Sequence, residues 1–136
     1  MNPPISNYPL VRRIEEAALS AWPALQCIFY DGWLLRFSNG YTKRANSVNG
    51  LYEGTIDVHE KIKRCEHIYA SHGLPTVFRI TPLASPGNLD DILAERGYKR
   101  IDPTLVQHRL CPPDDSNPAA YPISELSLDD WMALFV

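Results

Sequence analysis

Residues 26–48 read Gln-Cys-Ile-Phe-Tyr-Asp-Gly-Trp-Leu-Leu-Arg-Phe-Ser-Asn-Gly-Tyr-Thr-Lys-Arg-Ala-Asn-Ser-Val, and this stretch decides the fold. Two β-prone runs, Gln26–Tyr30 and Trp33–Phe37, are separated only by Asp31-Gly32. Such a two-residue link predicts a hairpin, because both central residues must take positive φ and Asp-Gly does so at low cost. Asn39-Gly40 repeats the signal, so Tyr41 to Val48 is expected to return as a third strand. Three strands on two tight turns make an antiparallel meander.

Upstream, Leu10, Ile14, Ala17, Ala18 and Ala21 recur at helical spacing. Arg12, Arg13, Glu15 and Glu16 fall between them as a solvated face, and Pro23 stops the helix near Trp22. Residues 1–9, with Pro3, Pro4 and Pro9, form an extended lead-in. Downstream, residues 49–56 are a loop with Gly50 and Gly54, and Thr55 or Asp57 caps the next helix. If Asp57 is the cap, Glu60 completes a capping box. Val58, Ile62, Cys65 and Tyr69 mark that helix's buried stripe, and Gly73 then Pro75 end it.

Thr76–Ile80 is a short strand and Pro82–Gly87 a loop. Asn88 opens a short helix carrying Leu89, Ile92 and Leu93, which ends at Gly97. Tyr98–Ile101 and Thr104–Leu110 are expected as closing strands around Asp102-Pro103. The domain spans residues 1–110 on this reading. Residues 111–122 form a proline-rich linker. Residues 123–136 hold a helix capped by Ser127, either the start of a second domain or a C-terminal docking helix.

Composition narrows the classes. The chain has 136 residues, 45% hydrophobic and 21% charged, which excludes general disorder. The net charge of −3 gives no basic field, so no nucleic-acid partner is expected. No apolar run approaches the roughly 18 residues of a membrane span, so no membrane association is expected. Cys27, Cys65 and Cys111 form no CxxC pair, and free thiols fit a reducing cytoplasm. The start Met1-Asn2-Pro3-Pro4 lacks a signal pattern, so the expected location is cytoplasmic. His59, His67, His72 and His108 lack ligand spacing, so no metal is expected. Ser47 has no evident His or Asp companion for a hydrolase triad.

The least core-like strand is Lys43-Arg44-Ala45-Asn46-Ser47. Strand alternation would put Arg44 and Asn46 on one face, where they could bind an anionic or amide group. Arg36 on the neighbouring strand joins them if the register allows. The alternative is a solvated face with Arg44 paired to a carboxylate.

This element order is similar to that of GNAT acetyltransferases. Residues 66–80, Glu-His-Ile-Tyr-Ala-Ser-His-Gly-Leu-Pro-Thr-Val-Phe-Arg-Ile, resemble the GNAT helix running into its fifth strand. Residues 93–101, Leu-Ala-Glu-Arg-Gly-Tyr-Lys-Arg-Ile, resemble the family's helix ending in Gly-Phe. Asp31 to Val48 resembles the N-terminal domain of a two-domain subgroup, in which a second GNAT domain follows. The resemblance covers roughly residues 10–110. It implies an α+β, GNAT-like fold with a mostly antiparallel mixed sheet flanked by helices.

The resemblance also implies acetyl-CoA as co-substrate and a small-molecule or peptide amine as acceptor. It gives Gly50 and Gly54 the place of the cofactor loop. GNAT enzymes hold the pyrophosphate there with Arg/Gln-x-x-Gly-x-Gly/Ala, but this chain reads Asn49-Gly50-Leu51-Tyr52-Glu53-Gly54-Thr55-Ile56. Glu53 and Asp57 would oppose a pyrophosphate. The tyrosine that many GNAT enzymes use as general acid would fall at Leu93, which has no proton to give.

Three functions remain. The first is the acceptor-side N-terminal domain of an N-acetyltransferase, its complete acetyl-CoA site lying in a second domain; Arg44, Asn46 and Arg36 would then contact the acceptor. The second is a non-catalytic GNAT-like interaction or regulatory module that pairs through sheet edges or through the helix carrying Trp131, as a homodimer or with a second GNAT domain. The third is an enzyme whose Gly50–Gly54 loop still holds the cofactor.

Overall fold

A computed structural model describes residues 7–109 and 127–133. The chain divides into two units, Met1–Arg100 and Ile101–Val136. The first contains α1 (Tyr8–Ala21), β1 (Gln26–Tyr30), β2 (Trp33–Phe37), β3 (Val48–Gly50), α2 (Val58–Ser71), β4 (Phe78–Arg79) and α3 (Leu89–Glu95). The sheet order is β1-β2-β3-β4, with β1·β2 and β2·β3 antiparallel and β3·β4 parallel. This is an α+β unit on a mixed sheet; both turns form, but only Asp31-Gly32 joins two paired strands directly. Asp31 and Gly32 have φ of 43° and 84°, and Asn39 and Gly40 have 49° and 75°.

Alternation along β2 divides the sheet into two faces. Trp33, Leu35 and Phe37 face a core completed by Val48, Ile62, Cys65, Tyr69, Leu89 and Leu93. Burying each large apolar side chain contributes roughly 1.5–3 kcal/mol, so this cluster dominates the unit's stability. Phe37 and Tyr69 lie 4.6 Å apart, and Trp33 meets Phe78 edge-on at 5.8 Å. Tyr69 Oη donates to Arg36 O at 2.9 Å, joining α2 to the middle of β2. Burial pushes the Cys65 thiol up to about 12, so it behaves as a small hydrophobe.

The helix ends follow local chemistry. Asn7 caps α1 by accepting from Leu10 N at 3.2 Å. Asp57 caps α2 by accepting from His59 N and Glu60 N. Gly73, at φ 67°, follows the end of α2, as the sequence requires.

Five expectations change. The extended lead-in ends before residue 9, because α1 begins at Tyr8 and takes Pro9 into its first turn, where its missing N–H costs nothing. Tyr41–Val48 is not a strand: Lys43–Ala45 form a 3₁₀ turn, and pairing begins only at Val48. Asn46 is the cause. Its Oδ1 accepts from Ser38 N and Gly40 N, while Nδ2 donates to Thr42 O. These bonds fold the segment onto the preceding turn. Gly50 belongs to β3, not to the loop after it.

Glu15 is buried and pairs with Arg79, not solvated, because it lies between Val11 and Leu19 on the inward side of α1. Tyr98–Ile101 and 104–109 are not strands, having no ladder partner among the described residues. The second unit shows α4 (Leu128–Ala133), with Ser127 Oγ accepting from Asp130 N at 3.1 Å. Residues 1–6, Leu110, Cys111, the proline-rich segment 111–122, residues 123–126 and 134–136, and the Trp131 side chain lie outside the described residues.

Two glycines with positive φ separate conformational cost from steric cost. A Cβ on Gly32 would stand 2.5 Å from Glu53 O and 2.6 Å from Tyr52 O, whereas one on Gly73 meets nothing within 4 Å. In denaturant unfolding, Gly73→Ala is expected to cost about 1 kcal/mol. Gly32→Ala is expected to cost about 3 kcal/mol or more. Equal losses would show that the Tyr52–Glu53 backbone does not press on the hairpin turn.

Candidate functional site

The parallel pair β3·β4 leaves one end of the sheet open between two connections. One, residues 51–57, joins β3 to α2; the other follows β4 and reaches α3. A cleft of about 490 Å³ lies between them, lined in part by Glu53, Gly54, Lys61, Ser85, Pro86 and Ile92. The wall that carries Ser85 is fixed by Trp33, whose Nε1 donates to Ser85 O at 2.9 Å, and by Ser85 N donating to Gly50 O at 3.0 Å. A Cβ on Gly50 would meet Ser85 O at 3.1 Å, so glycine allows this close approach.

The β1–β2 turn is inserted into the 51–57 connection. Tyr52 N donates to Gly32 O at 3.0 Å. The Asp31 carboxylate accepts from Thr55 N and Ile56 N at 2.9 Å and from Thr55 Oγ1 at 3.1 Å. Lys61 Nζ lies 3.2 Å from Asp31 Oδ2, donates to Asp31 O, and sits 4.2 Å from the centroid of the Trp33 ring. The Thr55 and Ile56 amides, helped by Lys61, hold the Asp31 carboxyl well below its usual range.

The predicted site residues do not form one group. Arg36 is buried on β2, and its guanidinium donates to Leu19 O, Trp22 O and Arg44 O. It thereby satisfies carbonyls at the end of α1, which other helices close with a glycine. Asn46 is buried and holds the 38–42 turn. Arg44 is exposed, its guanidinium 5.7 Å from the centroid of the Trp22 ring. Gly54 lines the cleft, and a Cβ there would fall 2.1 Å from Asp31 Oδ2, so its bare backbone makes room for the carboxylate.

The sequence reading missed Asp31 and Lys61 as site residues. Lys61 carried one signal: it stands three residues after Val58 and four before Cys65, on the helix's inward stripe. Asp31 carried only its turn signal, because its partners lie more than twenty residues away. Among the described residues, no cluster of three His, Cys, Asp or Glu suited to a metal occurs. No helix among them is long and apolar enough to cross a membrane.

Sequence comparisons point to acetyltransferases. A family model described as the C-terminal part of the probable histone acetyltransferase Rv0428c matches residues 10–91. The uncharacterized N-acetyltransferase YobR of Bacillus subtilis (strain 168) is 39% identical over 104 residues, covering 74% of this chain and 40% of that protein. The probable histone acetyltransferase Rv0428c of Mycobacterium tuberculosis (strain H37Rv) is 34% identical over 98 residues, covering 71% of this chain and 30% of that protein. The match thus spans two-fifths or less of these relatives. No solved structure matches.

The lowered pKa of Asp31 implies a pH dependence. Its folded-state pKa lies below the unfolded value of about 3.9, so its stabilisation is fully present above that value. It is lost as pH falls through the folded value. Asp31→Asn is therefore expected to be less stable than the parent at pH 7, and the gap should narrow as pH falls below about 4. A gap that stays constant from pH 7 to pH 2 would exclude a charged Asp31 as the source.

Proposed function

This chain belongs to the family of the C-terminal part of the probable histone acetyltransferase Rv0428c, and on that premise we propose that it is a GNAT-like domain serving acetyl transfer from acetyl-CoA to an amine. It takes the acceptor side, while a second GNAT domain holds the cofactor. The observation that carries this division is the occupied connection between β3 and α2. The resemblance gives that place to the cofactor pyrophosphate, which needs free backbone donors. Here Asp31 occupies Thr55 N and Ile56 N, and Asp57 occupies His59 N and Glu60 N. Glu53 adds a further negative charge on the cleft wall.

The chemistry divides in the same way. A neutral amine attacks the thioester carbonyl, a C–N bond forms, and the C–S bond breaks. The amine loses a proton to a base or water, and the departing thiolate takes one. Leu93, at the place of the general acid, is 4% exposed and belongs to the core, so it supplies no proton. That step falls to the second domain. Of the three residues expected at the acceptor, Arg44 is the exposed one, and it is assigned the contact with the acceptor. Arg36 and Asn46 shape its surroundings. The thiols Cys27 and Cys65 are free, which supports a reducing, cytoplasmic setting.

One observation favours the second reading, an interaction module. β1 ends the sheet and carries no charged residue; its Phe29 is 74% exposed and Leu25, just before it, 75%. Uncovered edges of this kind invite pairing. A second GNAT domain along β1 would serve both readings.

Calorimetric titration of the chain with acetyl-CoA, with CoA as control, is expected to give no saturable heat up to about 1 mM. Micromolar binding would overturn the division of labour. In a protein carrying both domains, Arg44→Ala should raise KM for the amine several-fold and leave kcat within about twofold. An unchanged KM removes Arg44 from the acceptor site.

A further inference from the structure

We propose that β1 is a self-complementary edge on which a second copy of this chain docks, the two β1 strands pairing antiparallel about Ile28 while each Phe29 enters the other copy's groove. β1 ends the sheet, and its outer side has no ladder partner among the described residues. Arg36 N donates to Ser47 O on the β3 side of β2, so Arg36 does not bond to Cys27, its neighbour in register on β1. By alternation, Cys27 and Phe29 aim their backbone N–H and C=O groups away from the sheet. In a two-fold pair centred on Ile28, each copy's Cys27 faces the other copy's Phe29. These are the residues whose groups point outward, so each facing pair exchanges both of its main-chain hydrogen bonds.

The side chains fit the same register. Between the end of α1 and the edge of the sheet lies a groove of about 250 Å³, lined in part by Leu19, Pro23, Ala24, Cys27 and Leu34. A Phe29 that faces Cys27 stands over this groove, and the two-fold axis returns the exchange, as an isologous interface requires. Charge does not oppose the contact. β1 carries none, and Arg36, which also lines the groove, has its guanidinium turned to Leu19 O, Trp22 O and Arg44 O. On the opposite face Ile28, itself exposed, meets its own copy. Covering Leu25, Ile28, Phe29 and the groove on both copies removes roughly 1,000 Å² of surface, near the lower limit for a specific interface. The dimer is therefore weak, with a Kd of about 10–100 μM. This inference rests on the edge-pairing reading above, commits it to a second copy, and needs no acetyl transfer.

Sedimentation of the full chain from about 5 to about 500 μM tests the association. A monomer–dimer equilibrium in that range is expected. Phe29→Lys puts a charge on the edge and should weaken the dimer at least about tenfold. Because Phe29 is exposed, the Tm of the dilute variant should stay within about 2 °C of the parent's. Register is read by cross-linking in a background with Cys27 and Cys111 replaced by serine. Ile28→Cys brings two thiols together across the two-fold, with facing Cα atoms about 4.5 Å apart, inside disulfide range. Phe29→Cys leaves them two positions out of register, with Cα atoms more than about 7 Å apart. In a glutathione buffer the first is expected to form a covalent dimer and the second is not.

A chain that stays monomeric at the highest concentration overturns the proposal and leaves the edge to a second domain or another partner. A dimer that Phe29→Lys leaves intact overturns it by placing the contact on another surface. Cross-linking by Phe29→Cys in preference to Ile28→Cys overturns the register and with it the exchange of Phe29 side chains. None of these readouts involves acetyl-CoA, so this proposal and the acetyl-transfer reading fail separately.

Discussion

The carboxylate of Asp31 joins two segments that the chain keeps apart, the first hairpin turn and the approach to α2. Its bonds to Thr55, Ile56 and Lys61 set where that connection lies and therefore where one wall of the cleft stands. Gly32 accepts from Tyr52 N from the same turn, so the contact runs along the backbone as well. The ion pair is nearly closed to solvent, which removes most screening by salt. Lys61 also lies over Trp33, and the Trp33 indole holds Ser85 on the opposite wall. One chain of contacts thus spans both sides of the cleft.

Buried polar side chains elsewhere do work that regular structure does in other folds. Arg36 satisfies carbonyls at the end of α1, and Asn46 satisfies the turn before the 3₁₀ segment. Tyr69 supplies the partner that the Arg36 carbonyl finds in α2. A buried acceptor left unpaired costs about 1–3 kcal/mol, so these three side chains act as structural members. Their polarity is what made two of them look like ligand contacts in the sequence.

The family and the site answer different questions. Membership and the α+β layout connect the chain to acetyltransferases, and the relatives' names agree. The connection between β3 and α2 has its own physics, with acidic side chains where an anionic cofactor needs donors. A fold can persist while one of its sites is given to an internal group, because packing depends on the apolar stripe and not on what the loop binds.

The sequence by itself determined the local elements. Helix stripes, the capping residue Asp57, the Asp31-Gly32 and Asn39-Gly40 turns and the stop after α2 all depend on neighbours a few residues away. The apolar spacing of α2 likewise named Ile62, Cys65 and Tyr69 as core. Only the tertiary structure decided the destinations of the polar side chains. Arg44 and Asn46 shared a face by alternation, but a turn replaced the expected strand and gave Asn46 backbone partners, while Arg36 on β2 found its own at the end of α1 and at Arg44 O. Glu15 appeared solvated until Arg79, 64 residues on, met it across the sheet. Asp31 was legible as a turn residue and became the centre of the cleft wall only when folding brought Thr55, Ile56 and Lys61 to it. Hydrogen bonds between distant segments leave no periodic trace in the chain, because their geometry exists only after the core has packed.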